Sequence, residues 1–187
     1  MIQNQTERLS HLSEVLLDMT GIQSVERSDS ISLAELADEV CCDLASIADQ
    51  KKVELIQEEG DCTVTGSYLL LYRAVYNLVE NAIKYNHSGG KVTVKISQKK
   101  DLPAAHSKPA DYALVEVTDT GIGISPEFQE KIFDPFFRVD KSRSRAMGGA
   151  GLGLALVNEI ARQHGGQVKV LASSEQGSTI ALILPLS

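Results

Sequence analysis

The hydrophobic period of this chain changes from 3.6 to 2 and back, and no other feature limits its possible folds as much. Between Ser67 and about Tyr85, Leu71, Val75, Leu78, Val79 and Ala82 recur at helical spacing. Over Lys91–Ser97, Val92, Val94 and Ile96 alternate with polar residues, and Tyr112–Thr118 reads as a second half-buried strand of the same kind. Leu152–His164 is helical again and ends at Gly165-Gly166. Strands that each need one covered face, interleaved with helices that each offer one apolar stripe, imply α+β: a two-layer α/β sandwich with helices on one face of a mixed sheet.

The remaining segments fit this frame. Ser32 and Glu35 form an S-x-x-E capping box, and Leu36, Val40, Leu44 and Ile47 follow at helical spacing. Val53–Gln57 and Cys62–Thr65 read as short strands around a turn at Gly60, and Val168–Ala172 with Ile180–Leu184 as a closing hairpin about Gln176-Gly177. Pro103–Pro109 is a polar loop, and Ser125-Pro126 opens a short helix with proline at its tolerated first position. Upstream, Gln5–Ile22 reads as an extra N-terminal helix whose Leu9, Leu12, Leu16 and Met19 form a short seam, either for a partner helix or for packing on its own domain. Gly21 and Ser24–Ser30 look like a hinge. The expected organisation is therefore 1–25, a linker at 26–31, and a domain over 32–187.

Charge and cysteine content narrow the function classes. In 187 residues, 25 acidic side chains outnumber 18 basic ones, for a net charge of −7. That balance argues against a broad nucleic-acid-binding face. No apolar run approaches the roughly 18 residues that would span a bilayer, and no leader is seen. Cys41, Cys42 and Cys62 make no C-x-x-C pair and are expected as reduced, packed thiols in a cytoplasmic protein.

Four segments carry chemistry. In Asn77-Leu-Val-Glu-Asn81-Ala-Ile-Lys84-Tyr85, the amides, the lysine and the tyrosine share a helix face about 120° from the apolar one. An amide carbonyl can ligate Mg²⁺ without neutralising it, although the same face could simply be solvated. Asp119-Thr-Gly121-Ile-Gly123 follows a strand. Its carboxylate can accept from an exocyclic amine and its glycines admit a flat ring, or the glycines serve only the turn. Gly149, Gly151 and Gly153 open the helix that runs to His164, where bare N–H groups and the positive dipole end suit phosphates. Phe133-Asp-Pro-Phe-Phe-Arg138, followed by Lys141, Arg143 and Arg145, concentrates positive charge just before those glycines.

The order and spacing of these four segments resemble the catalytic ATP-binding domain of sensor histidine kinases, within the GHKL (Bergerat-fold) ATPase superfamily. N-L-V-E-N-A-I-K-Y corresponds to the N box, D-T-G-I-G to the first glycine box, F-D-P-F-F-R to the F box and G-A-G-L-G-L to the second glycine box. The resemblance covers about Ser32–Ser187, and Thr6–Val25 resembles the end of the second helix of the dimerisation and phosphotransfer domain. It implies ATP and Mg²⁺ as cofactors. Asp119 would read the adenine amine, with Gly121 and Gly123 shaping the pocket and Thr179 supporting the carboxylate through water. Asn81 would ligate Mg²⁺, and Asn77, Lys84 and Tyr85 would line the phosphate and ribose side. The backbone at Gly149, Gly151, Leu152 and Gly153 would contact phosphates. Ser125–Gly149 would form a lid. Arg138, with Lys84, would stabilise the transferring phosphoryl group, and Lys141 and Arg143 would assist.

The resemblance also implies partners: the protein's own phosphotransfer domain, as a homodimer, and a cognate response regulator, with any membrane attachment through upstream segments. One departure stands out. None of His11, His87, His106 and His164 lies in an H-E-[LI]-[RK]-[TN]-P context, so the phosphoacceptor is expected on a part of the protein upstream of this fragment. An ATPase of the gyrase or heat-shock-chaperone kind would need a glutamate where Asn77 stands, because an amide is no general base at neutral pH. An anti-sigma-factor serine kinase or a non-catalytic nucleotide-binding module are the other readings.

Overall fold

The computed structural model describes residues 25–100, 111–139 and 151–186. The expected helix over Gln5–Ile22, the loop Pro103–Pro109, and Lys141, Arg143 and Gly149 lie outside the described residues.

The first element, β1 (Asp29–Ser32), falls where a linker at 26–31 is expected. It pairs antiparallel with β3 (Thr63–Gly66), matching Ile31 to Val64, and Ile31 is buried. The alternation is too short to register in S-D-S-I-S, and the pairing supplies what local sequence does not. Helix α1 (Leu33–Lys51) begins directly after it. Ser32 Oγ accepts from the Glu35 N–H at 3.2 Å, as the capping box requires. Asp61 reinforces this end from across the chain: its Oδ1 accepts from the Ala34 N–H at 3.0 Å and from the Ser32 hydroxyl at 3.1 Å. The helix stops at Lys52, which takes the left-handed conformation (φ 57°) and donates to the carbonyls of Ala48 and Asp49.

The buried stripe of α1 is Leu33, Leu36, Ala37, Val40, Leu44 and Ala48. Ile47, expected in that stripe, is 39% exposed. The core position in the last turn belongs to the smaller Ala48, because a stripe at 3.6 residues per turn drifts off a strict 3-4 repeat.

Strand β2 (Glu54–Gln57) does not pair with β3 as a hairpin about Gly60. It runs parallel to β4 (Lys91–Lys99), with Leu55 opposite Val92. The intervening α2 (Tyr68–Lys84) makes that parallel crossover possible. Strand β4 pairs antiparallel with β5 (Tyr112–Asp119), which pairs with β7 (Gly177–Pro185), which pairs with β6 (Gln167–Ser174). The five-stranded order is β2-β4-β5-β7-β6, a mixed sheet. The last helix, α3 (Gly153–Gln163), precedes β6.

One core joins the three helices to one sheet face. Leu36, Val40, Leu71, Val75, Leu78, Val157 and Ile160 meet Val92, Val94, Val115, Val117, Leu182 and Leu184. The other face carries a separate small cluster of Tyr112, Leu114, Ala181 and Ile183, with no helical residue in it. The two-layer arrangement with helices on one face is thus the observed fold. Strand β5 departs from expectation in its first half, where Tyr112, Ala113, Leu114 and Val115 are all buried, so that both faces are covered. The unbroken apolar run Tyr-Ala-Leu-Val is the signature of such a strand. Among the described residues no helix is long and apolar enough to cross a membrane.

Candidate functional site

The acid is set by the sheet. Asp119 is the last residue of β5 and faces Ser178 across the ladder. Its Oδ1 accepts from the Gly121 N–H at 2.8 Å and its Oδ2 from the Ser178 hydroxyl at 2.8 Å. Two donors fix the plane of the half-buried carboxylate and leave lone pairs for a further donor. This corrects the role expected of Thr179. Thr179 stands opposite Thr118, with the two hydroxyls 2.9 Å apart, so both project from the other face of the sheet. There Thr179 lines an open groove with Glu58, Thr93, Lys95, Glu116 and Thr118. Ser178, one residue earlier, is the buried partner of the acid.

The turn after Asp119 is built on close approach. A Cβ on Gly121 would lie 2.5 Å from the Tyr85 carbonyl oxygen and 2.8 Å from Asp119 Oδ1. Gly123 has φ +69° and would set a Cβ 1.8 Å from the Ser174 carbonyl oxygen. The turn is held on the end of α2, where the Tyr85 carbonyl accepts from the Ile122 N–H at 3.3 Å.

Helix α2 buries Leu71, Val75, Leu78, Val79 and Ala82, and half-exposes Asn77, Asn81 and Lys84 on a neighbouring face. The Asn77 amide donates to the Arg73 carbonyl at 2.7 Å, which turns its Oδ1 toward the start of α3. A Cβ on Gly153 would stand 2.7 Å from that oxygen and 3.8 Å from Asn81 Nδ2. The amide face of α2 and the glycine-opened start of α3 therefore lie together. Leu152 contributes only its backbone there, because its side chain is buried in the core.

Positive charge gathers beside this junction. Phe136 takes the left-handed conformation (φ 65°) and its N–H donates to the Gly151 carbonyl at 2.9 Å. That turn carries Arg138 inward: its Cγ lies 3.1 Å from where a Gly151 Cβ would be. Arg138 Nη2 is buried with no hydrogen-bond partner. Lys84 lies over the Tyr85 ring, 5.7 Å from its centroid. Burial holds the Lys84 ammonium below the usual lysine range; Glu80 opposes this, and the charges of Arg138 and Lys51 add to it. Lys51, which nothing in the sequence marked, donates from the last turn of α1 to the Lys84 carbonyl. A buried guanidinium nitrogen without a partner, a desolvated ammonium and a helix N-terminus together suit an anion.

No group of three or more His, Cys, Asp or Glu side chains among the described residues could hold a metal. The neutral amides at Asn77 and Asn81 suit a cation that keeps most of its shell as water and phosphate oxygen, which is the habit of Mg²⁺. The histidine at the end of α3 serves another purpose. His164 Nδ1 bonds the Ile160 carbonyl at 2.8 Å and Nε2 accepts from the Ser67 N–H at 3.1 Å, so these partners assign the neutral ring. The Cys41 thiol is pushed up to about 11, mainly by burial and then by Asp38, which makes it a packed thiol and no nucleophile.

Residues 66–187 match the family described as histidine kinase-, DNA gyrase B-, and HSP90-like ATPase. The sensor-like histidine kinase SenX3 of Mycobacterium tuberculosis (strain H37Rv) is 35% identical over 186 residues, which cover 97% of this chain and 43% of SenX3. The chain thus spans about two fifths of the length of that relative. Among solved structures, the mycobacterial sensor histidine kinase MprB is 28% identical with a TM-score of 0.66, over 84% of this chain and 97% of that one. Full-length ShkA in complex with AMPPNP shares the fold at a TM-score of 0.77 and 24% identity, over 96% of this chain and 36% of that one.

Proposed function

Because this chain belongs to the family of histidine kinase-, DNA gyrase B- and HSP90-like ATPases, we propose that it is the catalytic ATP-binding part of a sensor histidine kinase, acting on Mg-ATP. The observation that carries this reading is the buried, unpartnered Arg138 Nη2 beside Lys84 at the opening of α3. A terminal phosphate supplies the missing acceptor. Asp119, held by Gly121 and Ser178, accepts from the adenine amine at the other end of the cleft. The N–H groups at Gly151–Gly153 receive phosphate oxygens, and Asn81, with Asn77, holds the metal-bearing side. Mg²⁺, when bound, neutralises charge on the phosphate oxygens.

In the transfer step the bond between the γ-phosphorus and the β,γ-bridging oxygen breaks and a bond to an imidazole nitrogen forms, with ADP leaving as the electron pair moves to its β-phosphate. The work of this chain is positioning and charge compensation, with Arg138 and Lys84 over the transferring group. Asn77 cannot take a proton from water at neutral pH, which favours transfer to a histidine over hydrolysis. The acceptor histidine belongs to the protein's own phosphotransfer domain, the response regulator receives the phosphoryl group next, and the domain works on the cytoplasmic side. The sensor histidine kinases among its relatives support these assignments.

Titration with adenine nucleotide, with and without Mg²⁺, tests the reading. Asp119→Asn places an amide where an acceptor-only group stood. A hydrogen bond to a charged group is worth about 1.5–3 kcal/mol, so affinity falls by about tenfold or more. Equal affinity of the variant and the parent chain would reject Asp119 as the adenine acid.

A further inference from the structure

The base-reading acid and the phosphate-side amides stand on different elements, Asp119 at the tip of β5 and Asn77, Asn81 and Lys84 on α2. We propose that Asn86 is the positioning residue that sets the span between them. This rests on the reading of the cleft as a Mg-ATP site. Asn86 is the second residue after α2, and its half-buried side chain ties three segments together. Its Oδ1 accepts from the His87 N–H at 2.9 Å and from the Thr120 hydroxyl at 3.2 Å, and its Nδ2 donates to the Lys91 carbonyl at 2.9 Å. Thr120 follows Asp119 directly and closes the loop of contacts. Its hydroxyl accepts from the Lys91 N–H at 2.9 Å, and its own N–H donates to the Lys91 carbonyl at 3.1 Å. Gly90 leaves the space this needs, since a Cβ there would stand 2.1 Å from Asn86 Oδ1.

The exit of α2, the entry of β4 and the D-T-G turn are thus fixed by one amide whose side chain bonds none of the groups proposed to contact the nucleotide. Local sequence does not reveal it, because two of its bonds, to His87 and Lys91, are those of an ordinary turn asparagine, and only the third, to Thr120, reaches across the chain. Loss of the tie lets the two ends drift. A ligand that grips both ends loses affinity, whereas a ligand that grips only the adenine end does not.

The test is calorimetric titration of the parent chain, Asn86→Ala, Asn86→Asp and Thr120→Val with Mg-ATP and, separately, with adenosine. Asn86→Ala weakens Mg-ATP by about tenfold and changes adenosine by less than about twofold. Asn86→Asp keeps the acceptor oxygens but not the donor to Lys91, and falls between the alanine variant and the parent. Thr120→Val removes one arm of the tie and weakens Mg-ATP by a larger factor than adenosine, which keeps the question decidable if Asn86→Ala does not fold. Equal loss for both ligands would mean general loosening and overturn the proposal, as would Mg-ATP binding indifferent to all three changes. A parent chain that bound neither ligand would instead reject the nucleotide reading on which the proposal stands.

Discussion

At the scale of single residues, the site turns on parity. In G-S-T-I, either hydroxyl is chemically able to support Asp119, and one step along a strand decides which sheet face each one meets. The register Asp119↔Ser178 gives the task to Ser178 and sends Thr179 to the groove on the other side. The carboxylate, the two glycines after it and the amide pair were legible in the sequence because each has a distinctive chemistry at a distinctive spacing. The serine was not, because ladder register is a long-range property. The contrast is measurable. Ser178→Ala removes one of the two donors to Asp119 and lowers adenine-nucleotide affinity severalfold, in line with the ~1.5–3 kcal/mol of a charged hydrogen bond partly replaced by water. Thr179→Ala leaves nucleotide affinity within about twofold, a surface-scale change. A titration in which Thr179→Ala is the more damaging variant would restore the sequence-based assignment.

At the scale of elements, α3 has one end open beside the amides of α2 and the other tied into the fold. Its glycine-opened start faces Asn77, while its last turn delivers His164 to the entry of α2. Burial, with the Arg27 charge adding to it, holds the His164 imidazole below its ordinary range against the opposing pull of the Ile160 carbonyl. The folded protein therefore keeps the ring neutral, and a proton on Nε2 would meet the Ser67 N–H head on. The unfolded chain takes up that proton near the ordinary value of about 6.5, so it binds more protons than the folded chain below that pH. Stability from this group is full above about pH 7 and is lost as pH falls through 6.5 toward the depressed folded value. Denaturant midpoints measured between pH 7.5 and 5 should drop for the parent chain and drop less for His164→Gln; parallel curves would exclude His164 as the source. The helices themselves were legible in outline from their 3.6 period and caps. What was not legible was how the short elements β1, β2 and β3 choose partners, because four residues carry too little pattern to specify a neighbour. The parallel β2–β4 pairing comes only from the way α2 folds back over the sheet.

At the scale of the whole molecule, the functional reading proposed above separates what binds from what is phosphorylated. Among the described residues the three helices cover one sheet face, and the groups proposed to meet the nucleotide line up along that layer: the sheet-tip acid, the amide side of α2, the inward-turned Arg138 and the start of α3. None of the chain's four histidines has the acceptor context, and His164 is engaged on both ring nitrogens. On the functional reading proposed above, this chain incubated with γ-labelled ATP acquires no acid-labile phosphate, and adding a separately made acceptor-histidine fragment restores labelling on that fragment. Arg138 then separates binding from transfer. Its unpaired nitrogen lies beside Lys84, where charge accumulates on the moving phosphoryl group. Interactions that strengthen only in the transition state change the rate more than the affinity. Arg138→Ala should therefore lower the transfer rate by about 10²-fold or more while nucleotide affinity falls by less than about tenfold, the pattern of a preorganised electrostatic group. Equal loss in both measurements would place Arg138 in ground-state binding alone and leave Lys84 and the α3 N-terminus to stabilise the transferring group.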